Sequence, residues 1–275
     1  MNILSQTISI QFDTVFSPYR AAEWRAAFAD VAEKGLSGVE LAVAYPDRVD
    51  AADVLVEARK HGLAVTTLST GQIYGLEGLY LTAPDRDIRV RAAAVVRGHI
   101  DLSTKLGSPN VTIGLLRGKL EPGGKDVLEA VLADSLAPLC AYAGERGVAL
   151  QLEAINRSET SLINTTAEAL AFLDKMGNPP SLGLLYDTYH SNLEDGDMLE
   201  AIRAAGGRIK NVHLADSHRG LPGEGKIDFA SVVRALVESG YTGAFALETL
   251  CIPTREHILE HYASAIKSVA GTDIN

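Results

Sequence analysis

One pattern recurs along this sequence: a short apolar run rich in β-branched residues, then a longer amphipathic stretch. The apolar runs are ILSQTISI near residue 3, GVELAV near 38, AVTTLST near 64 and NVTIGLL near 110. VALQLEA near 148, LGLLYD near 182, NVHLAD near 211 and AFALET near 244 follow. Runs of this length and composition read as buried parallel strands. The intervening stretches, such as AEWRAAFADVAEKG, ADVLVEARKHG, DIRVRAAAVVRGHIDLSTKLG, DVLEAVLADSLAPLCAYAGERG, TAEALAFLDKMG and FASVVRALVESG, read as helices. Many end in glycine, where the chain needs a left-handed residue to leave the helix. Eight alternations in 275 residues predict an α/β fold, a (β/α)8 TIM barrel, as a single domain over 1–275. The competing doubly wound sheet often carries a glycine-rich phosphate loop after its first strand. Here that strand runs into SIQFDTVF, without a glycine.

Charge narrows the partners. Asp and Glu number 35 against 25 Lys and Arg, a net charge of −10. Without a Lys/Arg run, such a chain is a poor match for a phosphate backbone, so no nucleic acid partner is expected. Cys140 and Cys251 are too few for a disulfide framework or a Cys-x-x-Cys metal site. They read as ordinary buried or half-buried thiols, in keeping with a reducing cytoplasm. The N-terminus lacks the basic start and apolar core of a signal peptide. No apolar run is expected to reach the ~20 residues that span a bilayer, so a cytoplasmic protein without a membrane partner is expected.

In a barrel of this kind, chemistry sits at the C-terminal ends of the strands. The predicted second strand carries Glu40, the third runs into Ser69, Thr70 and Gln72, and the fifth carries Glu153. The sixth ends in Asp187, the seventh carries His213 and the eighth ends in Glu248. Unpaired carboxylates in such apolar runs are costly, and three together repel one another unless a cation holds them. A divalent metal bound by Glu153, Asp187, His213 and Glu248 resolves the repulsion. Separate salt bridges at strand ends are the alternative. Three oxygens and one imidazole suit Mn2+ best, with Mg2+ or Co2+ as further candidates. Just beyond these residues lie His190, Arg219, Glu159, Asn156 and Arg157. Arg219 sits in RGLPGEG, whose glycines and proline indicate a structured loop, and an arginine there is suited to gripping a substrate oxygen. His218 beside it reads as exposed. Glu40 reads as a hydrogen-bonding group of the barrel interior or rim, and Trp24 as packing.

The stretches LEAINRSETSLINT, DTYHSNLED, HLADSHRGLPGEGKIDF and ALETL resemble the sugar isomerase/epimerase branch of the xylose-isomerase-like TIM-barrel superfamily. The resemblance spans essentially the whole chain and is strongest to ketose 3-epimerases and the related 5-keto-L-gluconate epimerase. It implies metal ligation by Glu153, Asp187, His213 and Glu248, with Glu153 and Glu248 also acting as the catalytic acid/base pair. It implies substrate contacts by His190, Arg219 and Glu159. STGQIYGLEGLYLTAPDRDIRVRA and TIGLLRGK resemble the 5-keto-L-gluconate type. They suggest that Gln72, Arg117 and Lys119 meet the distal end of a keto-sugar or keto-sugar acid. A solvated loop cation is the alternative for Arg117 and Lys119. The family also implies a homodimer or homotetramer.

The implied reaction removes the proton beside a ketone with one glutamate and returns it to the opposite face with the other. A bound metal stabilises the enediolate, while His190 and Arg219 help hold its charge. Aldose–ketose isomerisation, or an isomerase or dehydratase of hydroxypyruvate- or inosose-like substrates, uses the same parts. A DNA-repair endonuclease of the same barrel family requires further histidines at strand ends and a basic face. A binding-only barrel conflicts with the complete ligand and acid/base set.

Overall fold

The computed structural model describes residues 3–107, 109–119, 121 and 123–270. Among them, eight strands form one closed, parallel barrel in sequence order. They are β1 (Leu4–Ser9), β2 (Gly38–Ala42), β3 (Ala64–Ser69), β4 (Asn110–Ile113), β5 (Leu150–Glu153), β6 (Leu182–Asp187), β7 (Ile209–Leu214) and β8 (Phe245–Leu247). The ring closes where Leu4, Ser5 and Gln6 pair with Phe245, Ala246 and Leu247. The helices outside are α1 (Trp24–Glu33), α2 (Ala51–Lys60), α3 (Gly71–Glu77), α4 (Arg86–Lys105) and α5 (Lys125–Gly144). They continue with α6 (Thr166–Lys175), α7 (Thr188–Glu194), α8 (Met198–Ala205), α9 (Phe229–Glu238) and α10 (Arg255–Ala270). The expected (β/α)8 barrel is therefore the observed fold.

Strand alternation sorts the side chains onto two faces. Val39, Leu41, Leu68, Val111, Ile113, Leu152 and Val212 are buried in the apolar core. The inner face is polar. Glu40 on β2 reaches across to Asn211 and His213 on β7, and its register partners Thr7 and Thr67 share its face. Gln151 donates to Thr112 at 2.8 Å on the same side. TIM-barrel interiors usually hold bulky branched residues, so this lining already marks the barrel axis as a place for polar chemistry.

The helices start where short polar side chains satisfy their first N–H groups. Asp50, Asp85, Asp197 and Asp228 cap α2, α4, α8 and α9. Thr165 and Glu168 form a reciprocal capping box at α6. Trp24 is half-buried and meets Phe28 edge-on at 5.1 Å, a packing role. One expectation is corrected by α5. Its 20 residues are apolar enough, by length and composition, to cross a membrane. Leu128, Leu132, Leu136, Leu139, Cys140 and Ala143 form a buried stripe along it, the pattern of a helix packed on a protein core.

Gly183 on β6 leaves no room for a side chain, because a Cβ there would lie 2.5 Å from the Arg208 carbonyl oxygen. Gly183→Ala is expected to lower stability by about 1–3 kcal/mol. The check is a lower urea midpoint with an unchanged slope.

Candidate metal and active site

His213 is the centre of the site. Its Nε2 lies 3.0 and 3.1 Å from the two Glu40 oxygens and donates to that carboxylate. Its Nδ1 faces the other way. It stands 3.3 Å from Glu248 Oε2, 3.7 Å from Asp187 Oδ2 and 3.8 Å from Glu153 Oε1. A carboxylate behind the imidazole is how proteins orient a metal-ligating histidine. Glu40 thus holds the interior hydrogen-bonding position expected of it.

Asp187 is divided in the same manner. Its Oδ1 caps α7, accepting from Tyr189 N at 2.7 Å and His190 N at 3.0 Å. Its Oδ2 is buried without a hydrogen-bond partner, as is His213 Nδ1. Glu153 ends β5 and Glu248 follows β8. A Cβ on Gly114 would sit 2.7 Å from Glu153 Oε2, so glycine is what lets that carboxylate lie against the end of β4.

One donor atom from each of Glu153, Asp187, His213 and Glu248 falls within 4.8 Å of all the others. Ligands about 2.1 Å from a shared ion lie roughly 3–3.5 Å apart. The distances from Nδ1 are close to that. With two buried donor atoms otherwise orphaned, the residues fit a divalent cation.

Without a cation, protons share the site. Burial pushes Glu153 well above the carboxylate range; Glu248 and Asp187 add to the effect, and His213 and Arg117 oppose it. Burial favours a neutral His213, but Glu40 and Glu248 outweigh it and hold the imidazole well above its ordinary value. Burial resists ionisation of Asp187 and Glu248 as well. His190 and His213 nevertheless keep Asp187 low, and His213 and Arg219 keep Glu248 low.

A second group faces the same cavity. Arg219 Nη1 donates to Glu159 Oε1 at 2.6 Å, and Nη2 lies 3.9 Å from Glu248. The Arg219 guanidinium also stacks over Phe16 at 4.4 Å. Its backbone is left-handed, φ 64°, a conformation that non-glycine residues adopt at some cost and mostly at functional sites. The loop holds it there: Arg219 N donates to Asp216 O at 2.7 Å, and Leu250 N donates to Arg219 O at 2.8 Å. His190 is buried, with Nε2 3.8 Å from Glu153. Burial lowers its basicity; Asp187 opposes this and Arg219 reinforces it. Asn156 bridges Glu159 and His190. His218 is exposed, as expected.

The three distal candidates separate. Gln72 lines the cavity, donating to Ser9 Oγ at 3.1 Å and Phe12 O at 2.6 Å, with its Oε1 buried and unpartnered. Lys119 is exposed, its Nζ 5.8 Å from the Tyr74 ring, and does not line the cavity. Arg117 corrects both readings offered for it: it is neither a substrate contact nor a solvated cation. It is fully buried outside the cavity. Its Nε donates to Leu162 O and its Nη2 to Ile163 O, both at 2.9 Å, while Nη1 donates to Gly114 O and Glu153 O. Burial lowers it to about 10, against the pull of Glu153, Glu159 and Glu168, so it remains charged. The turn Leu115–Arg117 folds the guanidinium inward. The apolar wall of Phe16, Leu115 and Ile155 escaped sequence reading, because apolar residues in βα loops look like packing.

A parallel barrel with three carboxylates and an imidazole converging at its C-terminal rim defines a (β/α)8 protein with a candidate divalent-metal centre. Residues 28–269 match the xylose isomerase-like TIM barrel family, and the chain belongs to it. It is 33% identical over 236 residues to an L-ribulose 3-epimerase of Methylomonas sp. (strain DH-1), covering 84% of this chain and 80% of that protein. It is 30% identical over 221 residues to a ketose 3-epimerase of Arthrobacter globiformis, covering 79% and 74%. The crystal structure of D-allulose 3-epimerase from Methylomonas sp. in complex with D-allulose matches with a TM-score of 0.78 at 29% identity. It covers 92% of this chain and 86% of that one.

Glu153 and His213 have raised values in the cation-free protein, so the stability they contribute is present at low pH and is lost as pH rises through those values. A bound cation displaces their protons and gains affinity over the same rise. The thermal midpoint of EDTA-treated protein should therefore fall with pH through and above neutrality while that of Mn2+-loaded protein holds. Stabilisation should reach about 2.7 kcal/mol at a free ion concentration near 100 Kd. Arg117→Met strands buried carbonyls without donors and should cost about 3 kcal/mol or more in chemical denaturation.

Proposed function

We propose that this chain is a divalent-metal-dependent epimerase of a neutral keto-sugar, inverting the carbon beside the ketone through an enediolate. One observation carries the reading. Glu153 from β5 and Glu248 after β8 both line the cavity and both approach Nδ1 of His213 from different strands. Inversion needs a proton taken from one face and returned to the other. Two carboxylates approaching from separate strands answer that need. The relatives named L-ribulose 3-epimerase and ketose 3-epimerase support the same reaction, at carbon 3 of a ketose.

In this mechanism Glu153, Asp187, His213 and Glu248 would hold the ion, and the oxygen-rich donor set favours Mn2+, with Mg2+ or Co2+ as substitutes. When bound, the ion supplies Lewis-acid stabilisation of charge developing on the substrate oxygens. One of Glu153 and Glu248 removes the proton beside the ketone, and the other delivers a proton to the opposite face. Arg219 and His190 present N–H donors where the enediolate oxygen gathers charge. Glu159 holds the Arg219 guanidinium in place. Gln72 meets the distal end of the sugar.

The pocket's charges favour a keto-sugar over a keto-sugar acid. Arg219 is the one Lys or Arg among the described lining residues, and it is already paired with Glu159. Among the described lining residues no second lysine or arginine is present to grip a substrate carboxylate. The net charge of −10 likewise disfavours nucleic acid. A homodimer or homotetramer is the assembly the resemblance implies, and the sparse, unpaired cysteines suit a cytoplasmic setting.

The test incubates Mn2+-loaded protein with ketopentoses, ketohexoses and 5-keto-gluconate in D2O, followed by proton NMR. Loss of the C3–H signal with growth of the C3 diastereomer is expected for a neutral ketose, and at least about tenfold slower turnover of the keto acid. Glu153→Gln and Glu248→Gln should each lower kcat by about 10²–10⁴. Formation of an aldose turns the reading to an isomerase. Absence of exchange with every ketose sinks it.

A further inference from the structure

We infer that Asn156 is a positioning residue that fixes His190 as the neutral tautomer protonated on Nε2, aiming that N–H into the cavity. The inference starts from the Asn156 carboxamide, whose orientation its neighbours determine. Ser158 N donates to Asn156 Oδ1 at 3.0 Å, and a backbone N–H can only donate. The opposite edge, Nδ2, then carries the hydrogens. It donates to Glu159 Oε1 at 2.8 Å, an acceptor-only partner that agrees with this assignment. The remaining Nδ2 hydrogen points to His190 Nδ1 at 2.9 Å. Asn156's own backbone N–H approaches the same Nδ1 at 3.4 Å.

Two N–H donors therefore converge on Nδ1, which must offer its lone pair. A neutral imidazole with a lone pair on Nδ1 carries its proton on Nε2. That nitrogen lies 3.4 Å from Arg219 Nη2. Arginine has no acceptor, so the two nitrogens are both donors, and both residues line the cavity. The partner they lack is an oxygen that gathers negative charge. This purpose rests on the epimerase reading, in which the enediolate supplies that oxygen. Asn156 does not line the cavity and is not one of the four candidate ligands. It acts through His190, and through Glu159 it ties the same network to the Arg219 guanidinium.

The chemistry separates this role from simple packing. Asn156→Asp keeps the size of the side chain and turns the donor into an acceptor. The carboxylate draws a proton onto His190 Nδ1 and leaves Nε2 without one. The experiment records imidazole ¹⁵N–¹H correlations of the Mg2+-loaded full chain, which is diamagnetic, with His190 identified by difference against His190→Gln. Expected for the natural sequence is a protonated Nε2 and an unprotonated Nδ1, and for Asn156→Asp the reverse. The same variant should lose about 10²-fold in kcat with KM changed less than about threefold, because the lost donor serves the transition state more than the ground state. A proton on Nδ1 in the unsubstituted protein overturns the inference, with no variant required. So does an unchanged tautomer in Asn156→Asp. The expected tautomers together with no exchange on any ketose uphold Asn156's positioning of His190 and overturn the epimerase reading instead.

Discussion

Three carboxylates crowded around one buried imidazole at the floor of a cavity set the terms for the rest of this molecule. In a medium that screens poorly, such a cluster drives its members apart or forces protons onto them. The protein counters by fixing each ligand from behind. Glu40 takes the far nitrogen of His213, and the first turn of α7 takes one oxygen of Asp187. Arg117 binds the main-chain carbonyl of Glu153, and Arg219 stands 3.9 Å from Glu248. His213 and Asp187 each keep one edge tied to the scaffold and one edge free. A cation then finds its donors already gathered, so little reorganisation is left for the moment of binding.

Most of this was readable before the structure because it follows from position along the apolar runs. In a parallel barrel the polar residues that end such runs meet at one rim, and carboxylates gathered there repel one another unless a cation holds them. That logic singled out Glu153, Asp187, His213 and Glu248 as candidates, and Glu40 as a hydrogen-bonding group of the interior or rim. It failed where the chain leaves the strands. Arg117 looked like a loop cation because no local pattern announces that Leu115–Arg117 makes a turn that points inward. Helix α7 has seven residues, too few to show a helical period; its one signal was an aspartate immediately before it, in the capping position. Helix α10 did carry a signal, with Ile258, Tyr262, Ala265 and Val269 buried at helical spacing.

Arg117 shows how a residue outside the cavity can govern it. The segment after β5 carries Asn156 and Glu159 and passes through Ile163, whose φ of 61° is unusual for a β-branched side chain. A conformation like that persists only where surrounding bonds over-determine it. Arg117 provides them, binding the carbonyls of Leu162, Ile163 and Glu153 at once. The strand end that carries Glu153 and the loop beside it are thereby joined into one rigid piece. The buried charge costs solvation, and several carbonyls in good geometry offset that cost.

The cavity wall is asymmetric. Every ionisable side chain that lines it comes from β5 onward, whereas the wall built by β1 to β4 offers only neutral groups such as Thr7, Ser69, Gln72 and Thr112. Glu40 is the exception in kind, reaching across from β2 to His213 without lining the cavity. Substitutions in the first three βα loops can therefore reshape what the pocket admits while leaving the carboxylate–imidazole cluster intact, whereas Gly114 and Arg117 after β4 bear directly on Glu153. Changes after β5 place both at risk together. Such an arrangement leaves selectivity open to evolutionary drift while the chemistry stays under constraint, a separation laid down in the order in which the strands enter the ring.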